Sequence, residues 1–178
     1  MPNARPAVGV AIVLVALALP GCGGSEESAS TATSSRPAAQ RPIAVSLDRL
    51  RSFAETIGHP VYWAGPRSGG YELTVDVNGN IFIRYLEGNV QPGSRRRTSL
   101  TVATYLFANA YRVLRAASRV PGATVDHTPD GGLAVIRPGS SLNAYIAYPE
   151  RDVQIEVYDP RAGRALALAT TGAITPIR

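Results

Sequence analysis

The chain contains 178 residues, of which 45% are hydrophobic and 17% are charged, and its formal net charge at pH 7 is +5. A chain of this size and composition is typical of one globular domain. All 18 basic residues are arginine, and there are two histidines and one cysteine. A single cysteine excludes an intramolecular disulfide, and it excludes a cysteine-built zinc site or iron–sulfur cluster.

The N-terminal segment has the pattern of an export signal. Arg5 supplies a positive charge, and an uncharged apolar run of twelve residues follows from Val8 to Leu19. A membrane-spanning helix needs about 20 apolar residues, so this run is too short to cross a bilayer and is typical of a signal peptide. We therefore predict a signal peptide over residues 1–21. An uncleaved membrane anchor and a secretory signal with an incidental cysteine are the alternatives.

The segment Leu19-Pro20-Gly21-Cys22 resembles the lipobox of bacterial lipoproteins, although Pro20 stands where a small residue is commoner. The resemblance implies that Cys22 receives a diacylglycerol group and becomes the first residue of the mature chain. Two or more acyl chains give stable anchoring, because each buried methylene adds about 0.8 kcal/mol. We therefore expect lipidation at Cys22 to hold the protein on the extracytoplasmic face of the cell membrane.

Residues 22–42 form a predicted linker that begins with the lipidated cysteine. The segment after Cys22 is rich in Ser, Thr, Ala, Gly and Pro and contains no large apolar residue. Such a segment cannot bury enough surface to offset the entropy lost on ordering. The predicted globular domain therefore covers residues 43–178.

The domain begins with a predicted helix and a predicted β-hairpin. Ser46 is a favourable N-cap for a helix over residues 47–57, where apolar residues recur at helical spacing. Alternation of apolar and polar residues predicts strands at 71–77 and 81–86, with Asn78-Gly79 in the turn. Only a three-residue loop or a bulged hairpin keeps the apolar side chains of both strands on one face, so we predict that register.

The rest of the domain continues the mixture of strands and helices. Asp159 is a candidate N-cap for the last helix, with Pro160 at its first position. The further predicted elements are a polar loop at 87–99, a strand at 100–105, a helix at 107–119, strands at 133–136, 143–148 and 153–158, and a helix that ends near Thr170.

These elements predict an α+β fold, with a largely antiparallel sheet and helices on one face. Gly69-Gly70-Tyr71 and Gly131-Gly132-Leu133 each open three strands and a helix in the same order. The domain can therefore be interpreted as two βββα units or as one unrepeated α+β domain.

The sequence contains none of the common catalytic motifs. It has no G-x-S-x-G elbow, no Walker loop and no dinucleotide-binding fingerprint. His59 and His127 do not have metal-ligand spacing, so we predict no catalytic, cofactor-binding or metal-binding residue. Glycoside hydrolysis needs two carboxylates, so an envelope hydrolase acting on glycan or lipid stays an alternative. The candidate pairs are Glu72 with Asp76 and Glu150 with Asp152.

Arg95, Arg96 and Arg97 form the one dense cluster of positive charge. Because the predicted signal peptide exports the domain, we expect no nucleic-acid partner. The anions outside the cytoplasm are phospholipid headgroups and envelope polymers that carry phosphate or carboxylate. Arginine suits phosphate because its planar guanidinium can form two parallel hydrogen bonds. We predict that the cluster contacts such an anion, and a solvated loop that only maintains solubility is the alternative.

A second candidate surface surrounds the Gly- and Pro-rich connection before the hairpin. Trp63, Arg67 and Tyr71 lie in or beside this connection. Aromatic side chains can bind a sugar or lipid, and they can equally pack within a sheet. We predict a ligand surface formed by these three residues, with packing as the alternative.

Four short segments resemble those of uncharacterised exported lipoproteins from actinobacteria: YWAGP (62–66), YELT (71–74), LTVATY (100–105) and QIEVYDP (154–160). The lysine-free composition, rich in Arg and Ala, agrees with a GC-rich genome. The resemblance implies an envelope lipoprotein and carries no catalytic residue to this chain. Our leading hypothesis is a non-enzymatic module that binds a small ligand, an anionic envelope polymer or another partner. A structural spacer is a third possibility.

Overall fold

The computed structural model describes residues 41–178, and an antiparallel sheet of eight strands lies at the centre of this part of the chain. The elements follow in the order β1 (Ile43–Val45), α1 (Leu47–Thr56), β2 (Tyr62–Trp63), β3 (Gly70–Val75), β4 (Ile81–Leu86), β5 (Thr101–Leu106), α2 (Ala110–Ala117), β6 (Thr124–His127), β7 (Leu133–Ile136), β8 (Asn143–Ala147), β9 (Val153–Tyr158), α3 (Arg164–Thr170) and β10 (Thr175–Pro176).

The large sheet consists of two antiparallel meanders that meet at β5 and β9. Its strand order is β1-β3-β4-β5-β9-β8-β7-β6, and β2 pairs with β10 in a separate short sheet. Val102 of β5 lies opposite Val157 of β9 at the junction. The expected α+β fold with a largely antiparallel sheet is therefore confirmed. The order β3-β4-β5-α2 is repeated by β7-β8-β9-α3, as two βββα units would require.

The hairpin between β3 and β4 has the predicted register. Leu73 lies opposite Ile83, and Val75 lies opposite Ile81. The backbone N–H of Asp76 donates to the carbonyl of Asn80 at 3.0 Å, which leaves three residues in the loop. Gly79 has a φ of 81°, a left-handed conformation that glycine adopts without steric cost.

The main hydrophobic core lies on one face of the sheet, beneath α1 and α3. Leu50 of α1 and Leu168 of α3 both belong to this core. The strands contribute alternate residues, because successive side chains of a strand point to opposite faces. Fully buried examples from β4, β5, β9 and β8 are Ile83, Val102, Ile155 and Ile146.

Helix α2 packs on the opposite face, at the end of the sheet formed by β7 and β8. Ala110 and Leu114 of α2 form a second core with Leu133, Val135 and Ala147. Strand β7 is apolar at four consecutive positions, so both of its faces need cover. The expectation that the helices share one face therefore describes α1 and α3 but not α2.

Some element boundaries differ from those that the sequence predicts. Asp159 does not cap the last helix, which begins at Arg164 after Gly163. The carboxylate of Asp159 instead accepts from the backbone N–H of Arg161 at 2.9 Å, a local turn that delays the helix. The structure adds the short strands β1, β2, β6 and β10, and it shortens α2 to eight residues.

Candidate anion-binding cleft

The face of the sheet opposite the main core carries a cleft of about 250 Å³. Its floor is formed by outward-facing side chains of β4, β5 and β9, and the loop over residues 87–99 borders one side. We call this space the arginine cleft. The lining residues that matter for its chemistry are Arg84, Arg95, Arg96, Arg97, Ser99, Tyr105, Glu156 and Tyr158.

A buried ion pair lies beneath the loop. Glu72 of β3 and Arg84 of β4 are directly opposite each other, and Glu72 Oε2 is 2.6 Å from Arg84 Nη2. Their side chains are only 8% and 13% exposed. The predicted hairpin register requires this arrangement, because it places both residues on the face away from the main core.

The ion pair also fixes the start of the arginine cluster. Glu72 Oε2 accepts from the backbone N–H of Gly93 at 2.6 Å, and Arg84 Nη1 donates to the carbonyl of Ser94. These bonds bring the loop against the sheet at the two residues that directly precede Arg95. A polar pair on the sheet therefore determines where the positive charge is presented.

A second set of contacts fixes the end of the cluster. The hydroxyl of Tyr158 donates to the carbonyl of Arg97 at 2.6 Å. The guanidinium carbon of Arg97 lies 4.6 Å from the centroid of the Tyr158 ring, within the range of a cation–π contact. The cluster is thus held at both ends, while Arg95, Arg96 and Arg97 all stay exposed.

Two buried polar atoms of the cleft lining have no hydrogen-bond partner among the residues that the structure describes. They are Arg84 Nε and Ser99 Oγ, and Ser99 is only 2% exposed. Leaving a buried donor unpaired costs about 1–3 kcal/mol. Both residues line the cleft, so an acceptor-rich ligand that reached these two atoms would remove this cost. Arg84 is already paired with Glu72, and the other three arginines of the lining outnumber its one carboxylate, Glu156, so the charge of the cleft favours an anion.

Glu156 lies at the far side of the cleft and holds a hydrogen-bond network. The hydroxyl of Tyr105 donates to Oε2 at 2.7 Å, and the hydroxyl of Tyr145 donates to Oε1 at 3.3 Å. The side-chain amide of Asn143 also donates to Oε1. Burial, with the nearby charge of Glu156, raises the pKa of both phenols above the usual value of 10. Both phenols therefore stay protonated and act as donors at neutral pH.

The residues of the predicted ligand surface around Trp63 do not lie in the arginine cleft. The structure brings Trp63, Arg67 and Tyr71 together, with the two aromatic rings 6.2 Å apart. Trp63 is 6% exposed and Tyr71 is 3% exposed, and both belong to the main core. The Tyr71 hydroxyl accepts from the backbone N–H of Arg67 at 3.0 Å. The two aromatic side chains are therefore engaged in packing, on the face away from the arginine cleft.

Three of the carboxylates considered for a hydrolase have structural partners. Glu72 pairs with Arg84, and Asp152 Oδ1 accepts from the backbone N–H of Asn109 at 2.8 Å. Asp76 accepts three hydrogen bonds within the hairpin loop. Within residues 41–178, no group of three or more His, Cys, Asp or Glu side chains is arranged to hold a metal ion.

The predicted signal peptide (1–21), the lipidation site Cys22 and residues 23–40 of the predicted linker lie outside the described residues. In the part of the chain that the structure covers, no helix is both long enough and apolar enough to cross a membrane.

Sequence reasoning found the three arginines of the loop but missed the floor of the cleft. Alternation in β9 indicates that Glu156 and Tyr158 face away from the core, and this was the available signal. Nothing in the sequence pairs β9 with β5, so Tyr105 and Glu156, 51 residues apart, could not be brought together in advance.

No protein-family model, curated protein or solved structure matches the chain. The class of ligand must therefore be inferred from the charge and geometry of the cleft itself.

Proposed function

We propose that this protein is a lipid-anchored extracytoplasmic envelope protein whose folded domain binds a phosphate-bearing ligand in the arginine cleft. One observation carries the proposal. The cleft combines the exposed guanidinium groups of Arg95, Arg96 and Arg97 with two buried, unpartnered polar atoms, Arg84 Nε and Ser99 Oγ.

Phosphate fits this set of groups better than a single-acceptor ligand does. It offers several oxygen acceptors, and a guanidinium can bind two of them in parallel. Hydrogen bonds to charged groups contribute about 1.5–3 kcal/mol each. Because the Glu156 carboxylate repels anions, we expect the phosphate at the end of the cleft that Arg84 and Ser99 line.

The same geometry favours binding over turnover. Glu72, Asp76 and Asp152 are engaged in structural hydrogen bonds, and the raised pKa of Tyr105 keeps its phenol from acting as a nucleophile at neutral pH. We therefore place a non-enzymatic binding module ahead of an envelope hydrolase.

The lipid anchor is supported by the sequence around Cys22. A flexible linker of about twenty residues has an r.m.s. end-to-end distance of roughly 25 Å. Such a linker would hold the arginine cleft close to the membrane surface, where phosphate groups are abundant.

Titration calorimetry on the full-length chain in detergent, with inorganic phosphate as the probe, tests the binding function. Replacing Arg95, Arg96 and Arg97 together by alanine should weaken phosphate binding by about tenfold or more, equivalent to at least 1.4 kcal/mol. The matched control replaces three exposed arginines in and just after α2, which removes the same charge away from the cleft. These are Arg112, Arg115 and Arg119.

The control variant should bind phosphate within about twofold of the wild type, because none of these three arginines lines the arginine cleft. Equal losses in both variants would mean that net charge alone attracts phosphate. The absence of phosphate binding by the wild-type chain would reject the proposed function.

Membrane attachment is tested separately with Cys22→Ser. This substitution removes the sulfur that the lipid requires, so incorporation of a labelled fatty acid should be lost and the product should leave the membrane fraction. A membrane-retained product whose mass differs only by the substitution would contradict the lipid anchor.

A further inference from the structure

A second depression, of about 450 Å³, adjoins the arginine cleft on the same face of the sheet. Tyr105 and Glu156 line both spaces. We call the second space the amide depression, because Asn78, Asn80 and Gln154 contribute to its lining. A ligand held in the arginine cleft can therefore extend past Glu156 into the amide depression without leaving the surface of the sheet.

Apart from Glu156 and Arg137, the lining of the amide depression is uncharged, and it suits a hydroxyl-rich group. The Asn80 amide already donates to Asp76 and accepts from the backbone N–H of Leu106. The amides of Asn78 and Gln154 can both donate and accept hydrogen bonds, as sugar hydroxyls do. Leu106 and Phe107 add apolar surface and are 46% and 37% exposed. A sugar ring has C–H faces that pack on such surface and hydroxyl edges that reach amides. The guanidinium of Arg137 lies 4.2 Å from the centroid of the Tyr145 ring, and Glu156 in the same lining balances its charge. The mixture of groups therefore matches a sugar better than a second anion.

Glu156 lies at the border of the two spaces, so its charge determines which part of a ligand can lie across that border. An ionised carboxylate only accepts hydrogen bonds, and its two oxygens offer about four acceptor positions. Tyr105, Tyr145 and Asn143 occupy three of these positions. The remaining capacity can accept a hydrogen bond from a hydroxyl, whereas a second phosphate beside Glu156 would be repelled.

We propose that the ligand is a sugar phosphate, with its phosphate in the arginine cleft and its sugar hydroxyls in the amide depression. This inference rests on the proposed function, because it assigns the second part of a ligand whose first part is the phosphate. Binding is non-covalent at both ends. Glu156, at the junction, favours a ligand with one phosphate over a polyphosphate of similar length.

Competition calorimetry on the full-length chain in detergent tests the assignment. The probes are the 1-phosphates of glucose, mannose and galactose, compared with inorganic phosphate and inorganic pyrophosphate. At least one hexose 1-phosphate should bind about tenfold more tightly than inorganic phosphate, which corresponds to roughly one or two additional hydrogen bonds. Pyrophosphate should bind no more tightly than that hexose 1-phosphate.

Two variants locate the sugar. Gln154→Ala and Phe107→Ala should each reduce the advantage of the hexose 1-phosphate to less than about threefold and leave the affinity for inorganic phosphate unchanged. The matched control is Thr74→Ala, because Thr74 lies on the same face of β3 but lines neither space. The control should keep the full advantage.

The outcomes separate this inference from the proposed function. If inorganic phosphate binds but no hexose 1-phosphate binds more tightly, the sugar assignment is wrong and the phosphate-binding function stands. If pyrophosphate binds most tightly, the ligand is a polyanion and the sugar assignment is also wrong. If no probe binds, both proposals are rejected.

A further comparison distinguishes the two sources of this chemistry. Inositol 1-phosphate represents the free ester, and a short-chain phosphatidylinositol below its micelle concentration represents a lipid headgroup. Tighter binding of the lipid would assign a membrane source, and equal or weaker binding of the lipid would assign a soluble ester. Failure of both to exceed inorganic phosphate, together with the same failure of the hexose esters, would overturn the assignment.

Discussion

Glu72 and Arg84 lie opposite each other on β3 and β4, and one oxygen of Glu72 contacts both the Arg84 guanidinium and the backbone N–H of Gly93, at 2.6 Å in each case. Arg84 in turn donates to the carbonyl of Ser94. A single cross-strand pair therefore connects the sheet to the loop that carries the arginine cluster.

The substitution Glu72→Gln tests this connection. It leaves the charge of Arg84 mostly buried without a counterion, and removing one partner of a buried ion pair costs about 3–5 kcal/mol. We expect the free energy of unfolding, measured by urea denaturation, to fall by about 3 kcal/mol. Phosphate affinity should fall as well, because the neutral glutamine oxygen holds the Gly93 N–H and the Arg84 guanidinium less strongly than the carboxylate does. An unfolding midpoint equal to that of the wild type would show that the pair contributes no stability.

A double variant separates stability from binding in the same region. Replacing Glu72 by leucine and Arg84 by methionine removes both charges and fills the space with apolar side chains. Such a replacement of a buried ion pair often leaves the stability of the fold unchanged. We expect the double variant to be more stable than Glu72→Gln but to bind phosphate no better. Recovery of phosphate binding along with stability would exclude a direct role for Arg84 in the cleft.

Gly132 is needed for close packing where β7 begins. A Cβ atom at this position would lie 2.6 Å from the Tyr148 ring and 2.7 Å from the Thr128 hydroxyl oxygen. That hydroxyl accepts from the Gly132 backbone N–H at 2.7 Å, so neither the Thr128 hydroxyl nor the Gly132 backbone can move away without breaking this hydrogen bond. Gly132→Ala should lower the free energy of unfolding by about 1–3 kcal/mol, as overpacking typically does.

The matched control for this substitution is Gly58→Ala. A Cβ atom added at Gly58 would meet no other atom within 4 Å, and the backbone there is not left-handed. Thermal unfolding of the two variants should therefore differ, with the melting temperature lowered only for Gly132→Ala. Equal melting temperatures would show that Tyr148 moves aside without cost.

The sequence predicted the parts of the fold that depend on local patterns. The hairpin register follows from alternation around Asn78-Gly79, because a one-residue slip would expose the apolar face. The start of α3 could not be predicted, since Asp159 can cap a helix or close a local turn, and the structure uses the turn. Helix α2 packs where it does because β7 is apolar on both faces. The sequence shows the apolar run, but it does not show which strands flank β7 or which face a helix must cover.

For the same reason, the sequence predicted only part of the candidate site. Arg95, Arg96 and Arg97 are adjacent in the chain and therefore visible as a cluster. Tyr105 and Glu156 meet only because β5 pairs with β9, a contact between distant segments that no local pattern specifies.

The phenol of Tyr105 provides a spectroscopic test of the Glu156 network. Burial raises its pKa, and its hydrogen bond to Glu156 and the negative charge of that residue raise it further. Tyr105→Phe should therefore leave the absorbance change of the folded protein around pH 10, the usual phenol pKa, unchanged. In urea, where all eight tyrosines titrate normally, the variant should lose one-eighth of the change. A smaller change near pH 10 in the folded variant would contradict the network.

The same shift has a consequence for stability. A pKa that is higher in the folded state than in the unfolded chain contributes stability below the unfolded value and loses it as the pH rises further. The wild-type protein should therefore become easier to unfold above about pH 10, and Tyr105→Phe should show a weaker dependence on pH in that range.

Asp76 gives a prediction for the acid range. Partial burial raises its pKa, but hydrogen bonds from Asn80 and Asn78 outweigh that effect and leave the pKa below the usual 3.8. The folded state therefore favours the ionised carboxylate, and this stabilisation is present at neutral pH and is lost as the pH falls below about 4. Asp76→Asn should lower the free energy of unfolding at pH 7 by about 1 kcal/mol. The difference between variant and wild type should shrink in acid.

Urea denaturation at a series of pH values measures this effect, with Glu87→Gln as the control. Glu87 is exposed, and no hydrogen bond of its side chain is found in the described residues, so its substitution should leave the unfolding midpoint at pH 7 unchanged. A constant difference between Asp76→Asn and the wild type from neutral to acid pH would show that the carboxylate stabilises the loop through shape and not through its charge. The hairpin register would then depend on Gly79 and on the apolar faces of β3 and β4 alone.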